Sequence, residues 1–168
     1  MTPEQYFLLY AFPCSQLKVQ RGDITQETYE KLQSHAITGN SYSINDLEKI
    51  YAPAISFMKE VSDEIKSPLW SIKTVATYFL LKHNEFIDKG KGNYAHAPPS
   101  MKNFCKVYEA KVIQKFQDAL VVDYPSGKRN VSYALTPDVK VGDEITIHHG
   151  FAVEIIRPES ICWKYLRN

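Results

Sequence analysis

The sequence predicts an α+β fold, a helical bundle followed by a small antiparallel β-barrel or meander. Capping residues and apolar positions at spacings of three and four fill the first half, to about residue 88. From Phe104 on, β-branched runs alternate with tight-turn residues. A stretch with linker composition separates the two.

The first helix is signalled by Thr2-Pro3-Glu4-Gln5, a capping Thr with Pro at the first helical position and Gln three residues after the cap. It is expected to stop before Pro13. Asp23 with Gln26 at capping-box spacing opens a second helix, carried by Tyr29 and Leu32 to about Ile37, where Thr38-Gly39-Asn40-Ser41 supplies turn chemistry. Ser43 with Asp46 opens a third, whose buried stripe is Leu47, Tyr51, Ala54, Met58, Val61 and Ile65, with a kink at Pro53. A fourth runs from Ser67-Pro68 to about Ile87, with Leu69, Ile72, Ala76, Phe79, His83 and Phe86 on one face.

Lys-Gly-Lys-Gly followed by Ala95-His96-Ala97-Pro98-Pro99 reads as a linker. The expected organisation is a helical domain over 1–88, a linker over 89–103, a barrel over 104–157 and a tail over 158–168. Strands are expected around Lys111-Val112-Ile113, Ala119 to Val122, Val131 to Leu135, and Ile145 with Ile147, with turns at Tyr124-Pro125-Ser126-Gly127 and Val141-Gly142-Asp143. Cys162, Trp163 and Tyr165 are expected to dock the tail onto the bundle.

Composition narrows the function classes. Twenty basic residues against nineteen acidic ones leave a formal charge of +1, so no electrostatic footprint for nucleic acid or anionic lipid stands out. No apolar stretch, Tyr78 to Leu81 included, approaches the roughly 20 residues a membrane helix needs, and Met1-Thr2-Pro3-Glu4 lacks a basic signal region. A cytoplasmic protein is expected. Cys14, Cys105 and Cys162 are odd in number and irregularly spaced, which fits neither a disulfide framework nor a Cys-x-x-Cys zinc site. Without a nucleophile–base pair, paired carboxylates or a phosphate-cradling loop in the sequence, an ordinary hydrolase, kinase or dehydrogenase is disfavoured.

Two clusters in the second half are more specific. One is Cys105-Lys106-Val107-Tyr108-Glu109-Ala110-Lys111-Val112, read as a cysteine opening the first strand. The other runs from Val139 to Glu154 and contains Val141-Gly142-Asp143 and His148-His149-Gly150-Phe151-Ala152. Together they resemble the HypC/HupF hydrogenase-maturation chaperones, over about a third of the chain. In that family a short OB-like barrel begins with a cysteine just after the initiator methionine and ends with a Val-Gly-Asp turn, a strand and a His-x-Gly-Phe-Ala segment.

The resemblance implies an accessory protein of nickel–iron hydrogenase assembly. It would carry an iron-dicyanide-carbonyl unit through Cys105 and His148, with His149 in support. Its partners would be a HypD-like scaffold and the hydrogenase large-subunit precursor. A thiolate is a soft ligand for iron and an imidazole an intermediate one, and two protein ligands leave positions for cyanide and carbon monoxide. Gly142, Asp143, Gly150, Phe151 and Ala152 are read as structural members of the motif. If Ile145 and Ile147 point into the barrel, period two puts His148 on the opposite, accessible face and His149 on the core side.

The chain departs from the pattern where a helical half precedes Cys105, where Lys106 replaces an apolar residue, and where Glu109 and Ala110 replace proline and glycine. Outside the resemblance, Cys105 reads as a small buried strand residue. His148 reads likewise as a surface strand histidine, and His83 as a hydrogen-bonded core histidine. Cys14 would join Cys105 in a two-thiolate site only if the bundle packs on the barrel. Two other readings stay open: a metal-free protein-interaction module working through its helices, and an OB-like nucleic-acid binder stacking bases on Tyr108, Phe116, Tyr124 and Tyr133, which the neutral charge disfavours.

Overall fold

The computed structural model describes residues 1–167. Thr2 caps α1 (Pro3–Ala11) by accepting from the Gln5 N–H, and the Gln5 side chain accepts in return from the Thr2 N–H. Pro13 ends α1 without ending the helical run. Phe12–Cys14 forms a 3₁₀ turn, and α2 (Ser15–Arg21) continues to Gly22, which closes it at a φ of 77°. The cap of α3 (Gln26–Thr38) is Thr25, accepting from the Thr28 N–H, and not Asp23.

Ser43 caps α4 (Ile44–Ile50) as its spacing predicts. The kink expected at Pro53 is a full break at Tyr51. There α5 (Ala52–Ile65) starts afresh with Pro53 in its first turn, where a missing N–H costs nothing. The stripe residues Leu47, Tyr51, Met58 and Val61 are buried. The fourth helix that the sequence predicts begins at Ile72 under a Ser71 cap, later than Ser67-Pro68. It is interrupted: α6 (Ile72–Ala76) passes through a π turn at Thr77–Lys82 into α7 (His83–Asp88). A π turn inserts one residue and rotates all that follows, and such turns concentrate at functional sites.

The stretch with linker composition holds a 3₁₀ turn at Gly92–Tyr94 and α8 (Pro99–Cys105). Cys105 therefore ends a helix instead of opening a strand. Five strands follow: β1 (Val107–Lys115), β2 (Leu120–Tyr124), β3 (Gly127–Val131), β4 (Glu144–His148) and β5 (Phe151–Ile155). They form one antiparallel sheet in the order β3-β2-β1-β4-β5.

The α+β order is the one the sequence predicts, but the barrel is not closed. Its edges meet at a single parallel bridge, where the Ser132 N–H donates to the Gly150 carbonyl (2.8 Å) and the Ala152 N–H to the Ser132 carbonyl (2.8 Å). The tail forms α9 (Ile161–Leu166), with Cys162 buried and Tyr165 packed on the helical core as expected; Ile161 joins them, whereas Trp163 is not part of that core. Residue 168 lies outside the described residues. Among the described residues no helix is long and apolar enough to cross a membrane.

The strand period sorts β4 between two cores. Ile145 and Ile147 face the sheet's inner core with Ala110, Val112, Leu120, Val122, Val131 and Ala152. Thr146 and His148 point the other way, onto α1. On that outer face Val107 and Val153 join one buried cluster with Tyr6, Phe7, Tyr10, Phe12, Met58 and Phe79. Val153 gets there because it is the extra residue of a bulge between the Thr146–Glu154 and Ile147–Ala152 pairs. Phe12 crosses edge-on to Phe151 at 5.4 Å between ring centroids, so Phe151 fills the helix–sheet core and not the sheet interior.

Truncating this joint tests how far one core spans the chain. Phe12→Ala is expected to destabilise the protein by about 3–5 kcal/mol, the usual range for deleting a buried Phe side chain. Urea unfolding followed by far-UV circular dichroism and by tryptophan fluorescence should show one coincident transition in both proteins. Loss of helix signal ahead of the rest would show that the halves fold separately.

Candidate functional site

Cys105 and the two residues after it are held by α7 at three points. The Cys105 carbonyl accepts a hydrogen bond from His83 Nε2 (3.1 Å). Two residues on, the Asn84 side chain donates to the Val107 carbonyl (2.7 Å) and accepts from the Val107 N–H (2.9 Å), standing in for a neighbouring strand at the start of β1. Lys106, where the resemblance expects an apolar residue, is paired with Asp88 at 2.6 Å. The turn between α8 and β1 is thus held by α7, and the π turn sets the phase at which α7 presents His83 and Asn84.

His148 sits opposite Val107 at the end of β4, on the face period two predicts. That face is covered, and His148 is 1% exposed where access was expected. Its Nδ1 lies 2.6 Å from the Tyr10 carbonyl. A carbonyl only accepts, so Nδ1 carries the proton and Nε2 keeps its lone pair. Nε2 faces Cys14 Sγ at 3.5 Å. His83 lies edge-on to His148 with 5.1 Å between ring centroids. Its Nε2 donates to Cys105, which leaves Nδ1 to accept from the Tyr78 hydroxyl at 3.2 Å. His83 is the hydrogen-bonded core histidine its stripe position suggests.

These groups line one cavity of about 110 Å³ between the helices and the sheet. Cys14, Cys105, His83 and His148 are on its wall, among Tyr51, Phe57, Tyr78, Phe79 and Met101, with Lys18 and Arg21 on the α2 side and Tyr94 on the other. The condition under which Cys14 would join Cys105 is therefore met. Sequence reading missed Tyr10 and Asn84, which act through main-chain contacts, and Tyr94, which lies in the stretch taken as linker. Among the described residues no three His, Cys, Asp or Glu side chains stand together as a ready metal-holding group.

Burial dominates the electrostatics. It holds the Cys14 thiol far above the usual thiol range, and nearby Cys105 adds to this while Lys18 and Arg21 oppose it. Cys105 is raised by burial too, and is eased back by the hydrogen bond with the Tyr94 side chain and by Arg21 and Arg129. His83 is lowered to about 3, by burial and then by neighbouring His148. His148 is lowered to about 4 by burial, against the pull of the Tyr10 and Cys105 carbonyls. At neutral pH the cavity therefore presents neutral thiols and neutral imidazoles.

The remaining motif residues build the sheet. Gly142 takes a φ of 94° and donates its N–H to the Val112 carbonyl (2.8 Å), while the Asp143 side chain accepts from the Lys140 N–H (2.9 Å). At the β4–β5 turn the left-handed residue is His149 (φ 54°), a type that tolerates it, and Gly150 is not in that region. The His149 ring lies against Phe104 at 4.1 Å, away from the cavity. Its Nε2 is buried with no hydrogen-bond partner among the described residues. Ala152 belongs to the inner core.

The histidines make stability pH-dependent. His83, His148 and His149 stay neutral in the folded chain down to about 3, about 4 and about 4, whereas unfolded histidine binds a proton near pH 6.5. Folded pKa values below the unfolded one give stability that is complete above about pH 6.5 and lost as pH falls toward the folded values, by about 1.4 kcal/mol per pH unit per histidine. His148→Gln should remove one histidine's share of that slope. Urea midpoints of parent and variant between about pH 7.5 and about pH 4.5 check this, and parallel curves would show that His148 titrates normally.

Comparison with known proteins agrees with the motif reading. A search of curated proteins gives no match to the chain. A scan of protein-family models matches residues 105–162 to the HupF/HypC family, a stretch that starts at the cavity cysteine and contains His148. The C-terminal part of this chain, from Cys105 through the open antiparallel sheet to the start of α9, is similar to the HupF/HypC family.

Proposed function

We propose that this chain is a hydrogenase-maturation chaperone that holds an iron cargo, an iron-dicyanide-carbonyl unit, at the helix–sheet cavity through Cys105 and His148. Its partners in this reading are a HypD-like scaffold and the hydrogenase large-subunit precursor. One observation carries the reading: the family-matched segment begins at Cys105, and the fold brings His148, 43 residues on, to the wall of the same cavity.

The chemistry follows from the surroundings. His148 is neutral above about pH 4 and its proton is fixed on Nδ1, so Nε2 is free to ligate. A backbone carbonyl on the far nitrogen is the usual support of a ligating histidine. The Cys105 thiol is protonated at neutral pH, so ligation releases one proton and weakens as pH falls. Two protein donors leave coordination positions for small ligands that the iron brings with it.

In the family pattern the cysteine lies at a free N-terminus, whereas here Cys105 is 1% exposed beneath the helices. Handing over a cargo then requires the helical half to yield at the cavity. The same burial favours a second reading, in which the chain is a metal-free interaction module that binds a protein through its helices.

Anaerobic reconstitution with ferrous iron, followed by metal analysis and Mössbauer spectroscopy, separates the two. The expected result is near-stoichiometric iron in the parent, lost in both Cys105→Ala and His148→Ala. A parent without iron, or iron retained in both variants, would reject the carrier reading and leave the interaction module.

A further inference from the structure

We infer that Cys14, supplied by the helical half, is a further ligand of the cavity, so that a bound metal is held between His148 Nε2 and thiols from both halves of the chain. This rests on the reading of the cavity as a metal-cargo site. Cys14 lies outside the family-matched stretch, so the resemblance assigns it nothing.

The geometry is specific. Cys14 ends the 3₁₀ turn that Pro13 helps to form, and its Sγ stands 3.5 Å from His148 Nε2. Four residues earlier on the same segment, the Tyr10 carbonyl holds Nδ1 at 2.6 Å. One short piece of the helical half therefore fixes the imidazole tautomer and places a sulfur in front of the nitrogen left free. As the chain stands, the thiol donates to that lone pair. A metal replaces this proton, forming bonds to sulfur and nitrogen while the proton leaves to solvent.

The rest of the cavity says what kind of metal fits. No carboxylate lines it, and its sulfur and imidazole donors stand among apolar and aromatic side chains, which disfavours hard, oxygen-seeking cations and suits a softer first-row metal such as ferrous iron. Lys18 and Arg21 offset the negative charge that two thiolates would bring. The space of about 110 Å³ leaves room beside the protein donors for small ligands. The Cys14–His148 pair is formed already; Cys105 lies on the same wall but does not yet stand with them as a three-donor group among the described residues, so a bound metal would have to draw it in.

The test is anaerobic titration of the 168-residue chain with Co²⁺, which gives a thiolate-to-metal charge-transfer band in the near ultraviolet. Parent, Cys14→Ala, Cys105→Ala and the double variant are compared for affinity and for band intensity per bound metal. In Cys14→Ala the band should fall by about half and binding should weaken at least ~10-fold, the lower end of the loss seen when even an outer-shell partner of a metal ligand is removed. Cys105→Ala should behave alike, and the double variant should show no band.

An unchanged band and affinity in Cys14→Ala with loss in Cys105→Ala would overturn the role of Cys14 and leave the proposed function standing. Loss in Cys14→Ala alone would uphold Cys14 and reject Cys105 as a ligand. A parent that binds no Co²⁺ would overturn both. Should Cys14→Ala fold poorly by circular dichroism, alkylation of the parent with and without Co²⁺, read by peptide mass, decides instead. Protection of Cys14 by the metal supports ligation, and equal labelling rejects it.

Discussion

The docking of α1 on the outer face of β4 is the constraint on which the rest of the structure depends. A sheet with an apolar outer face must bury it, and here Tyr6, Tyr10 and Phe12 cover Val107, Val153 and Phe151. Burying a strand face buries its polar residues as well, and each then needs a partner. His148 finds the Tyr10 carbonyl, and Thr146 the Tyr10 hydroxyl at 3.0 Å. Glu154 accepts from the hydroxyls of both Tyr6 (2.9 Å) and Tyr10 (3.0 Å). These bonds form only in one placement of the helix on the sheet, so they specify the register of the two halves more than they add to stability.

That placement decides what the thiols can do. On an exposed sheet Cys105 and His148 would face water. Beneath the helices they face a small apolar cavity in which charged thiolates and imidazolium are disfavoured. Such a site keeps its thiols protonated and its imidazoles neutral. In the proposed reading a metal would exchange the thiol protons for bonds to sulfur, and the protonation of the cavity is set as much by the helical half as by the strands.

The connection between the halves belongs to this arrangement. Gly92–Tyr94 and α8 lead from α7 back to β1, bring Tyr94 against the Cys105 thiol, and leave Cys105 at a helix end whose carbonyl His83 can reach. Asn84 and Asp88 of α7 then secure Val107 and Lys106. The departure from the family pattern at Lys106 is therefore answered inside the chain: its counter-charge, Asp88, stands on the helical half.

Local chemistry made much of the fold legible. Thr2 with Gln5 and Ser43 with Asp46 marked helix starts because capping involves only neighbouring residues, and Gly142-Asp143 marked a turn for the same reason. The period of β4 placed His148 opposite Ile145 and Ile147, and the Cys105 and His-x-Gly-Phe-Ala motifs located the family segment. What lay against that face was not legible. The π turn at Thr77–Lys82 and the bulge at Val153 leave no local signature, because each answers to packing between distant segments, whereas Pro53 marked a disturbance without showing that it is a full break. The sequence by itself determined the order of helices and strands and the candidate ligands Cys105 and His148. Only the tertiary structure decided that His148 is covered, that its proton sits on Nδ1 and that Cys14 stands before its free nitrogen. Those facts come from contacts between residues more than 130 positions apart, which no local pattern encodes.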